Sequence, residues 1–155
     1  MTVSILSIGT SMPHWVNEAV KEFSSRLPLP WNIEIIEKPA LKRKKSKSIE
    51  SILSEEGERL WKCRPEPACN IALDRIGKHL NSKDFSHLLQ NQLAHGNHIN
   101  FFVGGPEGLH DNVISRCDQS ISLSAMTFPH PLVRVILCEQ IYRARSISIG
   151  HPYHR

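Results

Sequence analysis

Ile99-Asn100-Phe101-Phe102-Val103-Gly104-Gly105-Pro106-Glu107-Gly108-Leu109 decides how the rest of the chain is read. Its apolar part is too short for a stable helix and is rich in aromatic and β-branched side chains, which predicts a buried strand, the fourth of the chain. The strand runs into a turn with three glycines, whose missing Cβ atoms allow close approach of a ligand or another segment. This turn is neither the dinucleotide fingerprint G-x-G-x-x-G nor a Walker loop ending in Gly-Lys-Ser/Thr, so phosphate cradling is disfavoured and a tight connection remains an open reading.

Toward the N-terminus, Val3, Ile5, Leu6 and Ile8 predict a first strand over about 3–9. Val16, Ala19, Val20, Phe23 and Leu27 recur at helical spacing between Pro13 and Pro28, and Ile33, Ile35 and Ile36 make a second strand that Pro39 ends. Ile49, Ile52, Leu53 and Leu60 stripe a second helix closed by Pro65-Glu66-Pro67. Asn70 to Asp74 is the third strand, and Phe85, Leu88, Leu89 and Leu93 form a third helix after a Ser82 cap, with Gly96 as its stop. Toward the C-terminus, Ile121 and Leu123 mark a short fifth strand, and Leu132 to Ser148 a long helix with Pro131 at its start. Strands alternate with helices throughout, the pattern of a single α/β domain spanning 1–155 with a mainly parallel sheet covered on both faces.

The composition narrows the functional classes. Hydrophobic residues make up 40% and charged ones 22%, a globular balance, and no apolar run approaches the roughly 20 residues that span a bilayer. The start lacks a basic stretch followed by an apolar core, so a cytoplasmic protein without a secretory signal or membrane contact is expected. The net charge of +4 permits a polyanionic partner without requiring one. Lys42-Arg43-Lys44-Lys45-Ser46-Lys47 places five like charges in six positions, predicting an exposed and mobile loop. Cys63, Cys69, Cys117 and Cys138 form no C-x-x-C pair and are expected to be reduced structural thiols.

Ligands of open α/β sheets lie beyond the carboxyl ends of the strands, which directs attention to the segments after strands three, four and five. Leu123-Ser124-Ala125-Met126-Thr127-Phe128-Pro129-His130-Pro131 carries no carboxylate or lysine. It offers main-chain N–H and C=O groups beside an apolar slot, which suits a flat uncharged heterocycle such as adenine, although an ordinary strand-to-helix connection would look the same. His130 lies near the positive end of a helix dipole, which favours neutral imidazole and a structural role over that of a base. Glu139 and Arg143 stand four apart and can form an ion pair. The terminal Gly150-His151-Pro152-Tyr153-His154-Arg155 is a polar, aromatic arm able to stack on a base and contact phosphate. His151 and His154 lack an evident third metal ligand, so no metal is expected.

Taken together, Gly104 to Leu109, Ser122 to Val135, Glu139-Gln140-Ile141-Tyr142-Arg143-Ala144 and His151 to Arg155 resemble the RlmH family. These are the SPOUT-class methyltransferases acting on pseudouridine N3 of large-subunit ribosomal RNA. The likeness spans the chain, including Ile8-Gly9-Thr10 and Glu56-Gly57, and departs at Arg145, where the family often carries tryptophan.

The resemblance implies a SPOUT-type, trefoil-knotted, Rossmann-like α/β domain and a homodimer with its catalytic pocket at the subunit interface. It implies S-adenosyl-L-methionine as methyl donor, held by Leu73, Gly104, Leu123, Ser124, Ala125, Met126, Thr127 and Phe128. The acceptor it implies is a pseudouridine in helix 69 of the large-subunit RNA within the assembled ribosome, with Arg143, Tyr153 and His154 as catalytic residues. Other readings are a SPOUT enzyme acting on a transfer RNA base or a ribose, and a non-catalytic ribosome-binding factor. A nicotinamide oxidoreductase lacks the glycine fingerprint after strand one.

Overall fold

A computed structural model describes residues 2–154. Its elements follow in the order β1 (Thr2–Ile8), α1 (His14–Ser25), β2 (Asn32–Lys38), α2 (Ile49–Lys62), β3 (Ala68–His79), α3 (Ser82–Ala94), β4 (His98–Val103), α4 (Asp111–Ile114), β5 (Gln119–Ser122) and α5 (His130–Ser148). The strands form one sheet in the order β2-β1-β4-β3-β5, with every neighbouring pair parallel. The expectation of a mainly parallel sheet is met in full.

Side chains alternate across each strand, so the sheet has two buried faces. Val3, Ile5, Ile71, Ile99 and Phe101 pack with Phe85 and Leu89 of α3 and Leu137 and Ile141 of α5. Leu6, Ile8 and Phe102 face the other way, onto Leu60 of α2 and Val113 of α4. Burial on both faces explains the near-continuous apolar runs of β1 and β4.

Several boundaries differ from the sequence reading. Asn81, not Ser82, caps α3: its side-chain oxygen accepts from the Asp84 amide at 2.9 Å, while Ser82 Oγ donates to Gln140 Oε1 of α5 at 2.9 Å. Leu123 lies beyond β5, which ends at Ser122. The short α4 was not anticipated; four residues carry no helical periodicity, and its cap is His110 Nδ1 accepting from the Asn112 amide at 3.1 Å.

The larger difference is β3, which continues to His79. Leu73 and Lys78 both align with Ile121, so residues 74–77 bulge out of the ladder at the carboxyl edge of the sheet. Gly77 allows this because a Cβ there would lie 2.7 Å from the main chain of Ile121.

The basic segment is also more ordered than its charge suggested. Arg43 pairs with Glu56 and Glu107, and Lys47 with Glu55, while the Lys47 amide closes a turn onto the Lys44 carbonyl at 3.1 Å. Carboxylates distant in sequence offset repulsion that looked uncompensated locally.

The cysteines are free thiols. Burial pushes Cys69 up to about 11 and Cys117 and Cys138 up to about 12, so these three stay protonated and unreactive near neutrality.

Candidate methyl-donor site

The carboxyl ends of β3, β4 and β5 converge on a cavity of about 350 Å³. Leu73, Asp74 and Arg75 line it from β3 and its bulge; Val103 and the following Gly104, Gly105, Pro106 and Gly108 line it from β4. Ser122 to Ser124 and Met126 to Pro129 close it from β5, with His130 and Val133 of α5 behind.

The glycine turn has a defined shape. The Gly108 amide donates to the Gly105 carbonyl at 3.0 Å, making Gly105-Pro106-Glu107-Gly108 a β-turn with proline at its second position. Gly108 takes φ +84°, and a Cβ on Gly104 would meet the Gly108 carbonyl carbon at 2.2 Å. Glycine at 104 is therefore demanded by the turn folding back on itself, a physical reason that the sequence reading left open.

Across the cavity, the 123–128 loop is stiffened from within. Ser122 Oγ donates to the Ser124 carbonyl at 2.9 Å, and Ser124 Oγ accepts from the Met126 amide at 2.9 Å. Thr127 and Phe128 line the cavity, and their amides donate to no other described residue. Main-chain donors beside the apolar walls of Leu73, Val103, Leu123 and Val133 fit an adenosyl group, whose ring edge needs hydrogen bonds and whose faces need apolar contact.

Seven of the eight expected donor-binding residues line this cavity: Leu73, Gly104, Leu123, Ser124, Met126, Thr127 and Phe128. Ala125 is exposed and does not. The sequence reading missed Asp74 and Arg75, which the β3 bulge turns toward the cavity. A glycine at 77 within a strand was the available signal.

His130 is held neutral, first by burial and then by the charge of Arg134, both of which lower its pKa. Its Nε2 lies 3.3 Å from where a Cβ of Gly9 would stand. Arg134, 2% exposed, donates to the Gly9 carbonyl at 2.7 Å and pairs with Glu37. One guanidinium thus pins the first turns of α5 to the ends of β1 and β2.

The three expected catalytic residues come together, but away from the cavity. Arg143 Nε donates to Glu139 Oε1 at 2.9 Å, and the Arg143 guanidinium lies 4.7 Å from the centre of the Tyr153 ring. Arg143 Nη1 is 3.4 Å from His154 Nδ1, and Tyr153 packs edge-on against Tyr142 at 4.8 Å. The terminal arm is folded onto α5 at this point; Arg155 lies outside the described residues. Arg143 is ten positions beyond the cavity-lining Val133 on the same helix, which corresponds to about 15 Å of rise. Arg145 sets its guanidinium 5.7 Å from the Trp31 ring, a cation–π contact from α5 to the residue that precedes β2.

Residues 1–154 match the model of a family described as predicted SPOUT methyltransferase. The chain belongs to the SPOUT methyltransferase family. SPOUT relatives named ribosomal RNA large subunit methyltransferase H include that of Thioalkalivibrio sulfidiphilus, 43% identical over 155 residues, which span all of this chain and 99% of the relative. That of Saccharophagus degradans is 39% identical over the full length of both chains. Among solved structures, a methylase-family protein of Haemophilus influenzae superposes with a TM-score of 0.56 at 11% identity, covering 99% of this chain and 70% of the other. One from Neisseria gonorrhoeae superposes at 0.52 and 11% identity, covering 90% and 81%. These superpositions support the SPOUT fold.

Proposed function

We propose that this SPOUT protein transfers a methyl group from S-adenosyl-L-methionine to N3 of a pseudouridine in helix 69 of large-subunit ribosomal RNA, on the assembled ribosome. The observation that carries the reading is the cavity at the ends of β3, β4 and β5, lined by Thr127 and Phe128, whose main-chain amides donate to no other described residue. Full-length relatives named for large-subunit ribosomal RNA methylation support the acceptor class.

Leu73, Gly104 and the 123–128 loop would hold the donor, whose sulfonium supplies an activated methyl for in-line displacement. What remains for the protein is to align the acceptor nitrogen and ease the loss of its weakly acidic proton. Arg143 is the residue to stabilise charge developing on the ring carbonyls. Tyr153 and His154 position the base and can relay its proton. Burial and the neighbouring Glu139 raise the Tyr153 pKa, so the phenol stays protonated at neutral pH; it would accept the N3 proton only while passing its own to Glu139, to which its hydroxyl donates.

Separation of the catalytic cluster from the cavity along α5 supports a homodimer in which a second copy completes each pocket. Met126, 73% exposed at the cavity rim, offers apolar surface for such a contact. The trefoil knot belongs to the same reading.

Incubation of the protein with labelled donor and ribosomes lacking the modification, followed by mass spectrometry of RNA fragments, tests the proposal. Label is expected on one pseudouridine of helix 69. Label on transfer RNA or on ribose would replace the acceptor, and donor binding without any transfer would indicate a ribosome-binding factor.

A further inference from the structure

Glu107 is the one residue of the turn 104–108 that does not line the cavity. Its carboxylate instead receives Arg43 in a two-pronged pair, Nη2 to Oε2 at 2.6 Å and Nε to Oε1 at 3.3 Å. Such a fork fixes the orientation of both groups as well as their separation.

The other edge of the Arg43 guanidinium is fixed too. Nη1 donates to the Leu41 carbonyl at 2.7 Å and to Glu56 Oε1 at 2.5 Å, and Glu56 Oε1 also accepts from the Leu41 amide at 2.8 Å. Glu56 is 2% exposed on α2, so this arginine is anchored on an element of the core. Pairing with both carboxylates raises the Arg43 pKa, while Arg43 lowers that of Glu107, so Arg43 and Glu107 remain charged near neutrality.

We propose that Arg43 is a positioning residue for the methyl donor: through Glu107, and braced by Glu56, it holds the Gly105–Gly108 turn in the shape that the cavity requires. The inference rests on reading that cavity as the donor site. It divides the basic segment by task. Arg43 is spent within the fold, and Lys42, Lys44 and Lys45, which are exposed, point their charge to solvent.

Calorimetric titration of the full-length protein with S-adenosylmethionine and S-adenosylhomocysteine, without ribosomes, tests this directly. Glu107→Gln keeps the side-chain size and leaves the Arg43–Glu56 pair in place, so it is the variant expected to fold normally. It should weaken binding of both ligands about 5- to 10-fold, as a modest positioning contribution does. Arg43→Gln should weaken binding by a similar factor, and the double variant should be little worse than either single. In turnover assays the KM for the donor should rise while kcat at saturating donor is retained, a split that mere loss of folded protein does not produce. Lys44→Gln should leave donor affinity unchanged.

Wild-type affinity in Glu107→Gln would overturn the inference while leaving the donor site intact. Failure of the wild-type protein to bind either ligand would overturn the reading of the cavity, and this inference with it.

Discussion

The Tyr153 hydroxyl donates to Glu139 Oε1 at 3.0 Å, the same oxygen that receives Arg143 at 2.9 Å. One carboxylate oxygen therefore gathers the tyrosine of the terminal arm and the arginine of α5. Tyr153→Phe removes a hydrogen bond without removing the ring that packs on Tyr142 and Arg143. It should leave thermal stability and donor affinity nearly unchanged and lower turnover on ribosomes roughly 100-fold, the lower end for a positioned proton-handling group. Single-turnover methylation checks this, and normal turnover would remove Tyr153 from the catalytic assignment.

The glycines of the turn are not equivalent. Gly104→Ala drives a Cβ to 2.2 Å from main-chain carbon, so the turn must open, at a cost of about 1–3 kcal/mol with loss of donor binding. At Gly105 the nearest atom to a new Cβ is Ile8 Cγ2 at 3.4 Å, an ordinary contact, and Gly105→Ala should fold with wild-type stability. Parallel thermal melts and donor titrations distinguish the two.

Protonation of His130 should destabilise the fold. Its folded-state pKa is lowered by burial and by Arg134, so below the ordinary value of about 6.5 the unfolded chain binds the proton and the folded chain resists it. Stability is fully present above about pH 6.5, falls as pH drops, and levels off below the folded-state pKa. Urea midpoints between pH 5 and 8 should show this slope in the wild type and a shallower one in His130→Gln.

Lys44→Glu combined with Lys45→Glu should weaken ribosome association and flatten its dependence on salt, because fewer counterions are released from phosphate. Binding measured over a range of salt concentrations checks this; unchanged affinity at low salt would exclude phosphate contacts by these lysines. The same variant should retain donor affinity, since neither lysine belongs to the Arg43–Glu107 pair.

Periodicity made the sheet and its long helices legible, because Ile99, Phe101 and Phe102 are buried on two faces while Phe85 and Leu89 repeat along one helix face. Motifs made most of the cavity lining legible, since the glycine turn and the 123–128 loop are contiguous segments at strand ends. Asp74 and Arg75 were missed because their inward placement depends on a bulge opposite Ile121, a residue 47 positions from Asp74. Arg43 was read as one charge among five because Glu107, 64 positions away, is its partner.

By itself the sequence determined the α/β alternation and the segments that meet at the carboxyl edge of the sheet. Those follow from local patterns of apolar spacing, glycine and proline. Only the tertiary structure decided which side of the 104–108 turn faces the cavity, where β3 bulges, and which distant carboxylates Arg43 meets. These depend on strand register and on charge pairs between distant segments, and neither is written in any stretch of neighbouring residues.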